Sequence, residues 1–572
     1  MKIRCWILLP AISLTLFGCF LAIRVGQADS SSDAYNLHCG LIVTLAVALA
    51  LWFQVEPKPE DAPSISTEKI SLRAWGGLVI LAAAVACFSG VVGMKQFAGF
   101  DHSALIDTPW RILNGQRPYL DFPSTLPVGF YLSAYYAFKL GGVAWSSLVG
   151  INSLFAGLTF LWMAWLLARL FGVRPKTWLL AFCIQACTTM LAGYWWYNPV
   201  TTVMGAVFFL SSVVWVKNPD SRRVLISWGG ALLLLAACKP NIAGPLIAGA
   251  TLILLFDPVL RRRVILAAAC AFIVFVALLA LHRIALTDML AGYLSVASRG
   301  LSSHQFLQDL DPGEKVLSLV FLGLIVAPLA LLIPRGFRLS RVQCLCLVAL
   351  VCGLYGFATN GESKLVDIPL VLLAAMIWTK EAGNPVRSTA VSEKLLPSVV
   401  VVQSTLVMAL AFSGIGLGWL RHRVKLAGQG TFFEYSRISP IPDVPFFAGL
   451  KAGPVFQSTV AEVSAAIQQH PGASVFFGPR MQWAYAAMNR PAPIDQPSWW
   501  HPGVAYRAED DSRYLENWRN ARHDVLIFIK NDYTYLSVEF RREIAIRYDR
   551  ENHAGITIYL LKKEVIGNNH RL

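Results

Sequence analysis

The chain has 572 residues, a mean hydropathy of +0.54 and only 15% charged residues. These values exclude an ordinary soluble enzyme and indicate a polytopic membrane protein. The net charge of +15 falls in clusters of the kind that membrane proteins keep in cytoplasmic loops, so nucleic acid is not an expected partner.

Spanning helices need about 20 apolar residues. Apolar runs that meet or approach this length lie at 6–23, 37–55, 74–94, 143–168, 178–194, 200–216, 224–238, 242–256, 264–281, 316–333, 342–358, 366–378 and 396–420. That is about thirteen spans. Lys2 and Arg4 place the N-terminus inside, and an odd number of crossings then puts the C-terminal segment outside. Every basic cluster falls on the inner side: Arg169, Arg174 and Lys176; Lys217, Arg222 and Arg223; Arg261, Arg262 and Arg263; Arg335, Arg338 and Arg341. The break at Lys239-Pro240-Asn241 must be a tight hairpin with Lys239 at the outer surface. A single helix over 224–256 would carry the arginine triplet outside, against the positive-inside rule. Residues 1–28 also resemble a signal peptide, but its removal leaves the downstream orientation unchanged.

All 11 cysteines lie in or beside apolar runs. They read as small hydrophobes between helices, not as a disulfide framework. Cys344 and Cys346 are too closely spaced for a zinc knuckle and lack a partner pair.

The longest early polar connection, 95–142, reads at its heart GFDHSALIDTPWRILNGQRPYLDFPSTLPVGFY. Long ordered loops are usually functional. Pro109 and Gly115 bracket one short helix. Thr125, Pro127 and the Gly141-Gly142 pair bracket a second, whose Phe130, Tyr131, Tyr135, Tyr136 and Phe138 suit a segment lying in the membrane interface. Asp101 could take a proton from an attacking hydroxyl, or cap a helix. Asp121 is a second acid or an anchor for Arg117, and Asp107 reads as a cap or a solvated charge. Arg117, Lys239, Arg299, His304 and Lys364 share the outer side, where cations can hold a departing phosphate. Asp367 at a span mouth is a candidate by position. Tyr194-Trp195-Trp196-Tyr197 reads as an interface belt first and a sugar-stacking surface second. No glycine-rich phosphate cradle is visible before residue 421, which favours a lipid-linked donor over a nucleotide sugar.

The early Asp101, the G-x-x-P-Y-x-D-F pattern (Gly115, Pro118, Tyr119, Asp121, Phe122) and the aromatic segment after it resemble the glycosyltransferase-C superfamily. Bacterial relatives of protein O-mannosyltransferases and aminoarabinose transferases are the most similar. The resemblance covers 74–420 and leaves 1–73 as an N-terminal addition. It implies an α-helical polytopic membrane fold, a polyprenyl-phosphate sugar donor, and a lipid, glycan or protein acceptor. It also implies an extracytoplasmic site in a bacterial cytoplasmic membrane, inverting transfer, Asp101 as the catalytic acid residue, and no cofactor. Many relatives have an Asp-Glu pair where this chain has Asp101-His102, and the subfamily and metal use stay open there.

Past 420 the composition changes. Strand-like runs at 473–477, 525–530 and 556–561 alternate with helical patterns at 458–469 and 512–522. A small extracytoplasmic α/β domain over 421–572 is expected. Trp499-Trp500-His501 reads as its core or a domain contact first, and as a face toward the membrane or an acceptor second. A transporter or lipid flippase, a glycan polymerase or ligase, and a membrane scaffold are the competing functions. Span interiors nearly free of charge and the lack of repeated halves weigh against transport.

Overall fold

The structure, a computed structural model, describes residues 70–95, 97, 100–124, 126–189, 193–297, 339–359, 368–382, 439–441, 443–500, 505–529 and 536–562. The apolar runs at 6–23, 37–55, 316–333 and 396–420 lie outside the described residues, as do Arg299, His304, Lys364 and Asp367.

Twelve described helices precede residue 383: α1 Leu72–Gly93, α2 Phe100–Leu113, α3 Val128–Gly141, α4 Trp145–Phe171, α5 Pro175–Cys187, α6 Tyr197–Lys217, α7 Arg222–Ala236, α8 Pro240–Leu255, α9 Arg261–Leu281, α10 Leu286–Ala297, α11 Arg341–Thr359 and α12 Ile368–Ala382. Four of them, α1, α4, α6 and α9, are long and apolar enough to cross a membrane. Local chemistry starts the helices: Ser71 and Ser221 accept hydrogen bonds from Ala74 and Val224 as N-caps, and Pro175 and Pro240 open α5 and α8. Helix α6 is buried along nearly its whole length, packed by α4, α7, α8, α11 and α12. By contrast α9 leaves Ile265, Leu266, Phe272 and Ile273 exposed, as a lipid-facing helix does.

The two ends of the bundle differ in charge. At one end Arg263 pairs with Asp220 at 3.0 Å, Arg341 with Asp257 at 2.7 Å, and Lys217 with Glu381. At the other end the Trp145 indole donates to the Gly93 carbonyl at 3.0 Å, and Lys239 Nζ to Asn198 Oδ1 at 3.2 Å. Lys217, Arg263 and Arg341 thus gather at one end, and the 95–142 connection lies at the other.

The C-terminal segment holds a two-stranded ribbon, β1 Ser439–Pro440 with β2 Lys451–Ala452, then α13 Pro454–Gln469. A four-stranded sheet follows, built from β3 Val475–Phe477, β4 Val525–Ile529, β5 Tyr548–Asn552 and β6 Ile556–Leu561, in the order β3-β4-β6-β5. The β3–β4 pair is parallel and the others are antiparallel. Helices α14 Trp483–Ala487, α15 Asp511–Ala521 and α16 Val538–Arg547 complete it. Strand β4 serves two cores. Leu526 and Phe528 pack with Trp500, Trp518 and Phe540, while Val525 and Ile527 join a core that continues through Phe447, Phe456 and Trp483 into the helix bundle. The alternation follows from the two-residue strand period.

The tightest crossing at the end that carries the 95–142 connection is Gly93 against Gly193. A Cβ on Gly93 would stand 1.9 Å from the Gly193 carbonyl oxygen, and Gly193 itself has φ +70°. Gly93→Val should therefore cost at least about 1–3 kcal/mol and lower the melting temperature in detergent, whereas Gly76→Val, with open space around it, should leave it unchanged. Thermal unfolding of the two purified variants checks this.

Candidate active site

Helix α2 follows α1 after a short connection. Asp101 lies in its first turn, where the helix dipole favours a carboxylate; its side chain lies outside the described residues. Sequence reading starts this helix at Pro109, but the helix begins two turns earlier and takes Pro109 inside. The end is where glycine places it. Gly115 has φ +84°, Gly115 N–H bonds Ile112 O, and Gln116 N–H bonds Arg111 O, which is the Schellman arrangement.

The polar face of α2 does not meet water. It docks on the C-terminal segment. Ser103 Oγ donates to Arg480 O at 2.5 Å and Trp110 Nε1 to Arg490 O at 2.8 Å. Arg111 donates to Asp107 Oδ2 at 2.7 Å, Pro493 O at 2.6 Å, Gln496 O at 3.2 Å and Gln116 Oε1 at 3.3 Å, and lies 5.2 Å from the Phe122 ring centre. Gln116 Nε2 reaches Ala492 O at 2.8 Å, and Asp495 N–H donates to Asp121 O. Asp107 is therefore no cap or solvated charge: it is fully buried beside an equally buried Arg111. Burial pushes its carboxyl up to about 6, against the opposing pull of Arg111.

Arg117 and Asp121 are spent on each other. The guanidinium donates at 2.9 and 3.1 Å and the Arg117 backbone N–H at 2.7 Å. These bonds hold the Asp121 carboxyl below the usual carboxylate range, the wrong direction for a base working near neutral pH. The pair staples the turn at Tyr119, whose φ of +69° is an outlier for a bulky residue. Of the two readings of Asp121, the anchor for Arg117 is the one this geometry serves.

On the second loop helix, α3, Phe130, Tyr131 and Phe138 are buried and Phe130 stacks on Trp195 at 5.3 Å, while Tyr135 and Tyr136 are half-buried and pack on His282. Trp195 Nε1 donates to Phe130 O, and Trp195 and Trp196 are buried. The Tyr194–Tyr197 stretch is therefore an internal wall and not an interface belt. His102 packs its ring 4.0 Å from that of Tyr194 and 6.3 Å from that of Trp196. On the same wall, Trp196 lies 4.4 Å from Tyr197, and Lys239 Nζ sits 5.4 Å over the Tyr197 ring.

Lys239 caps α8. Its N–H donates to Thr201 Oγ1 at 3.2 Å, and the preceding turn accepts Gly129 N–H at Ala237 O. The starts of α6 and α8 thus meet at one ammonium group, while the first N–H groups of α3 are bonded to Tyr293 and Ala237. Helix N-termini attract anions, and two beside a lysine suit a phosphate group. Sequence reasoning named Lys239 but missed Asn198, its hydrogen-bond partner, and the converging helix ends. The signal available was Asn198-Pro199 just after the aromatic run, a helix start. Among the described residues no cluster of His, Cys, Asp and Glu could hold a metal ion.

No protein-family model and no curated protein matches the chain. Two solved structures of ArnT from Cupriavidus metallidurans are similar to it in fold. One is bound to undecaprenyl phosphate, with 13% identity over 86% of this chain and 98% of that one, at a TM-score of 0.41. The other is the apo state, with 14% identity over 85% and 98%, at a TM-score of 0.42. A likeness this distant carries no argument about chemistry.

The Asp107 carboxyl makes the stability of the docked state depend on pH. Its folded value, about 6, exceeds the ordinary 3.8, so the proton binds the folded chain more tightly. The stabilisation is full below pH 3.8 and is lost as pH rises through about 6. Between pH 5 and 7.5 the loss from this group is roughly 1–2 kcal/mol. Asp107→Asn should flatten that part of the profile, read as apparent melting temperature against pH; an unchanged slope would remove Asp107 as its source.

Proposed function

We propose that the chain is a membrane glycosyltransferase. It transfers a sugar from a polyprenyl-phosphate donor to a lipid, glycan or protein acceptor at the extracytoplasmic surface, with inversion. The observation that carries the reading is the wall Tyr194–Tyr197. The Asp101 turn meets it through His102 at one end, and Lys239 meets it through Tyr197 at the other. A helical turn bearing an aspartate and a lysine anion site against one wall support displacement of a sugar phosphate.

Asp101 takes the proton of the acceptor hydroxyl as it attacks the anomeric carbon. Lys239, aided by the helix N-termini, balances the charge that develops on the departing phosphate. Arg299, His304 and Lys364, which share this side in the sequence reading, are further candidates for the phosphate. Arg117 and Asp121 brace the loop. The positive end of the bundle, marked by Arg263, Arg341 and Lys217, faces the cytoplasm. The lipid tail of the donor then reaches the site from within the bilayer. The loop pattern Gly115, Pro118, Tyr119, Asp121, Phe122 supports the same class of chemistry through its resemblance to glycosyltransferase-C enzymes.

Mass spectrometry of envelope glycolipids and glycoproteins, with and without the chain, tests this. Removal should leave an acceptor lighter by one sugar unit. Asp101→Asn should reproduce that loss, lowering transfer by about 10²–10⁴-fold, with normal expression. Lys239→Gln should weaken donor use by about 10–100-fold, the worth of a hydrogen bond to a charged group. Unaltered glycoconjugates after removal of the chain would refute the reading.

A further inference from the structure

The role of the C-terminal domain is not explained by the loop chemistry alone. Its segment Gly478 to Trp483 leaves the carboxyl end of β3, next to the parallel strand β4. Ligands of α/β sheets commonly bind outside the carboxyl ends of parallel strands. Here that edge faces helix α2. Arg480, at φ +68°, accepts the Ser103 hydroxyl at its carbonyl, and the Trp483 ring meets that of Phe97 at 6.0 Å. Phe97 and Ser103 bracket Asp101 in sequence. Between the two contacts lie Met481, buried in the apolar core, and Gln482.

Gln482 is 1% exposed, and neither its carboxamide nitrogen nor its oxygen has a hydrogen-bond partner among the described residues. The indole N–H of Trp483 and the hydroxyl of Thr108 are also buried and without such a bond. Buried polar groups are normally satisfied, and each exception calls for an explanation such as a bound ligand. A carboxamide offers a donor and an acceptor side by side, the complement of two neighbouring hydroxyls. The sheet edge that carries it is seated on the catalytic helix.

We propose that the Gly478 to Trp483 segment roofs the active site, and that Gln482 recognises a vicinal hydroxyl pair on the sugar being transferred. This rests on the glycosyltransferase reading, and the test separates the two. Full-length chain in native membranes, with its endogenous donor, is assayed for sugar-modified product by mass spectrometry, alongside melting temperature in detergent. The variants are Gln482→Leu, which keeps the volume and removes both polar ends, and Asp101→Asn.

Loss of two hydrogen bonds predicts about a tenfold slower transfer for Gln482→Leu, with a melting temperature equal to or above that of the unaltered chain. If Asp101→Asn abolishes product while Gln482→Leu keeps its full rate, the carboxamide is merely hydrated; the inference fails and the glycosyltransferase reading stands. If Gln482→Leu loses rate and melting temperature together, Gln482 serves the fold and the inference fails. If Asp101→Asn leaves product unchanged, the catalytic reading fails and takes the inference with it.

Discussion

The end of this protein that carries the 95–142 connection is organised around one buried guanidinium. Arg111 joins Asp107 on its own helix to Gln116 after that helix, and both to the carbonyls of Pro493 and Gln496, far along the chain. Only a planar fork with several donors can serve acceptors in so many directions. Burying the pair costs several kcal/mol per ion, so it is a poor means of gaining stability. Its contribution is orientation. With Trp110 on Arg490 O and Gln116 on Ala492 O, it fixes how helix α2 is rotated against the domain, and hence where Asp101 stands.

That rotation matters because the opposing elements are rigid. Helix α6 is packed from all sides, and the wall at its start is tied to α3 by the Phe130–Trp195 stack and to α8 by Lys239 and Asn198. The domain, the loop and the bundle share a continuous apolar core through Phe97, Trp145, Phe447 and Trp483. In the proposed mechanism, a helix clamped by the C-terminal segment carries the base and a fixed helix start carries the cation, the preorganisation that charge-stabilising catalysis requires.

Much of this was legible in the sequence. The apolar runs from 74 to 281 appear as helices with ends close to those read from hydropathy, because burial in lipid or protein demands the same uniform apolarity; the run at 178–194 is the exception, its helix ending at Cys187. Gly115 and Lys239-Pro240 marked a helix end and a helix start through backbone rules that need no tertiary context. The strands at 475–477, 525–529 and 556–561 carried continuous apolar runs. Strand β5, reading YDREN, escaped notice because it is a charged edge strand held by its ladder to β6. The fate of Asp107 was also hidden: its i,i+4 spacing to Arg111 suggests a surface pair, and only contact with residues near 493 buries it. The Tyr194–Tyr197 run misled for the same reason. Aromatics at a span end suit a membrane interface equally well as an internal wall, and the partner that decides, Phe130, lies on another helix.

The central claim is that the loop carrying Asp101 faces the exterior. Leu120, 56% exposed at the loop turn, is the position to label. A Leu120→Cys chain is treated with a membrane-impermeant maleimide in sealed right-side-out and inverted vesicles, against the background of the unaltered chain. Labelling in right-side-out vesicles alone is the predicted result; labelling confined to inverted vesicles would put the loop in the cytosol and contradict the account.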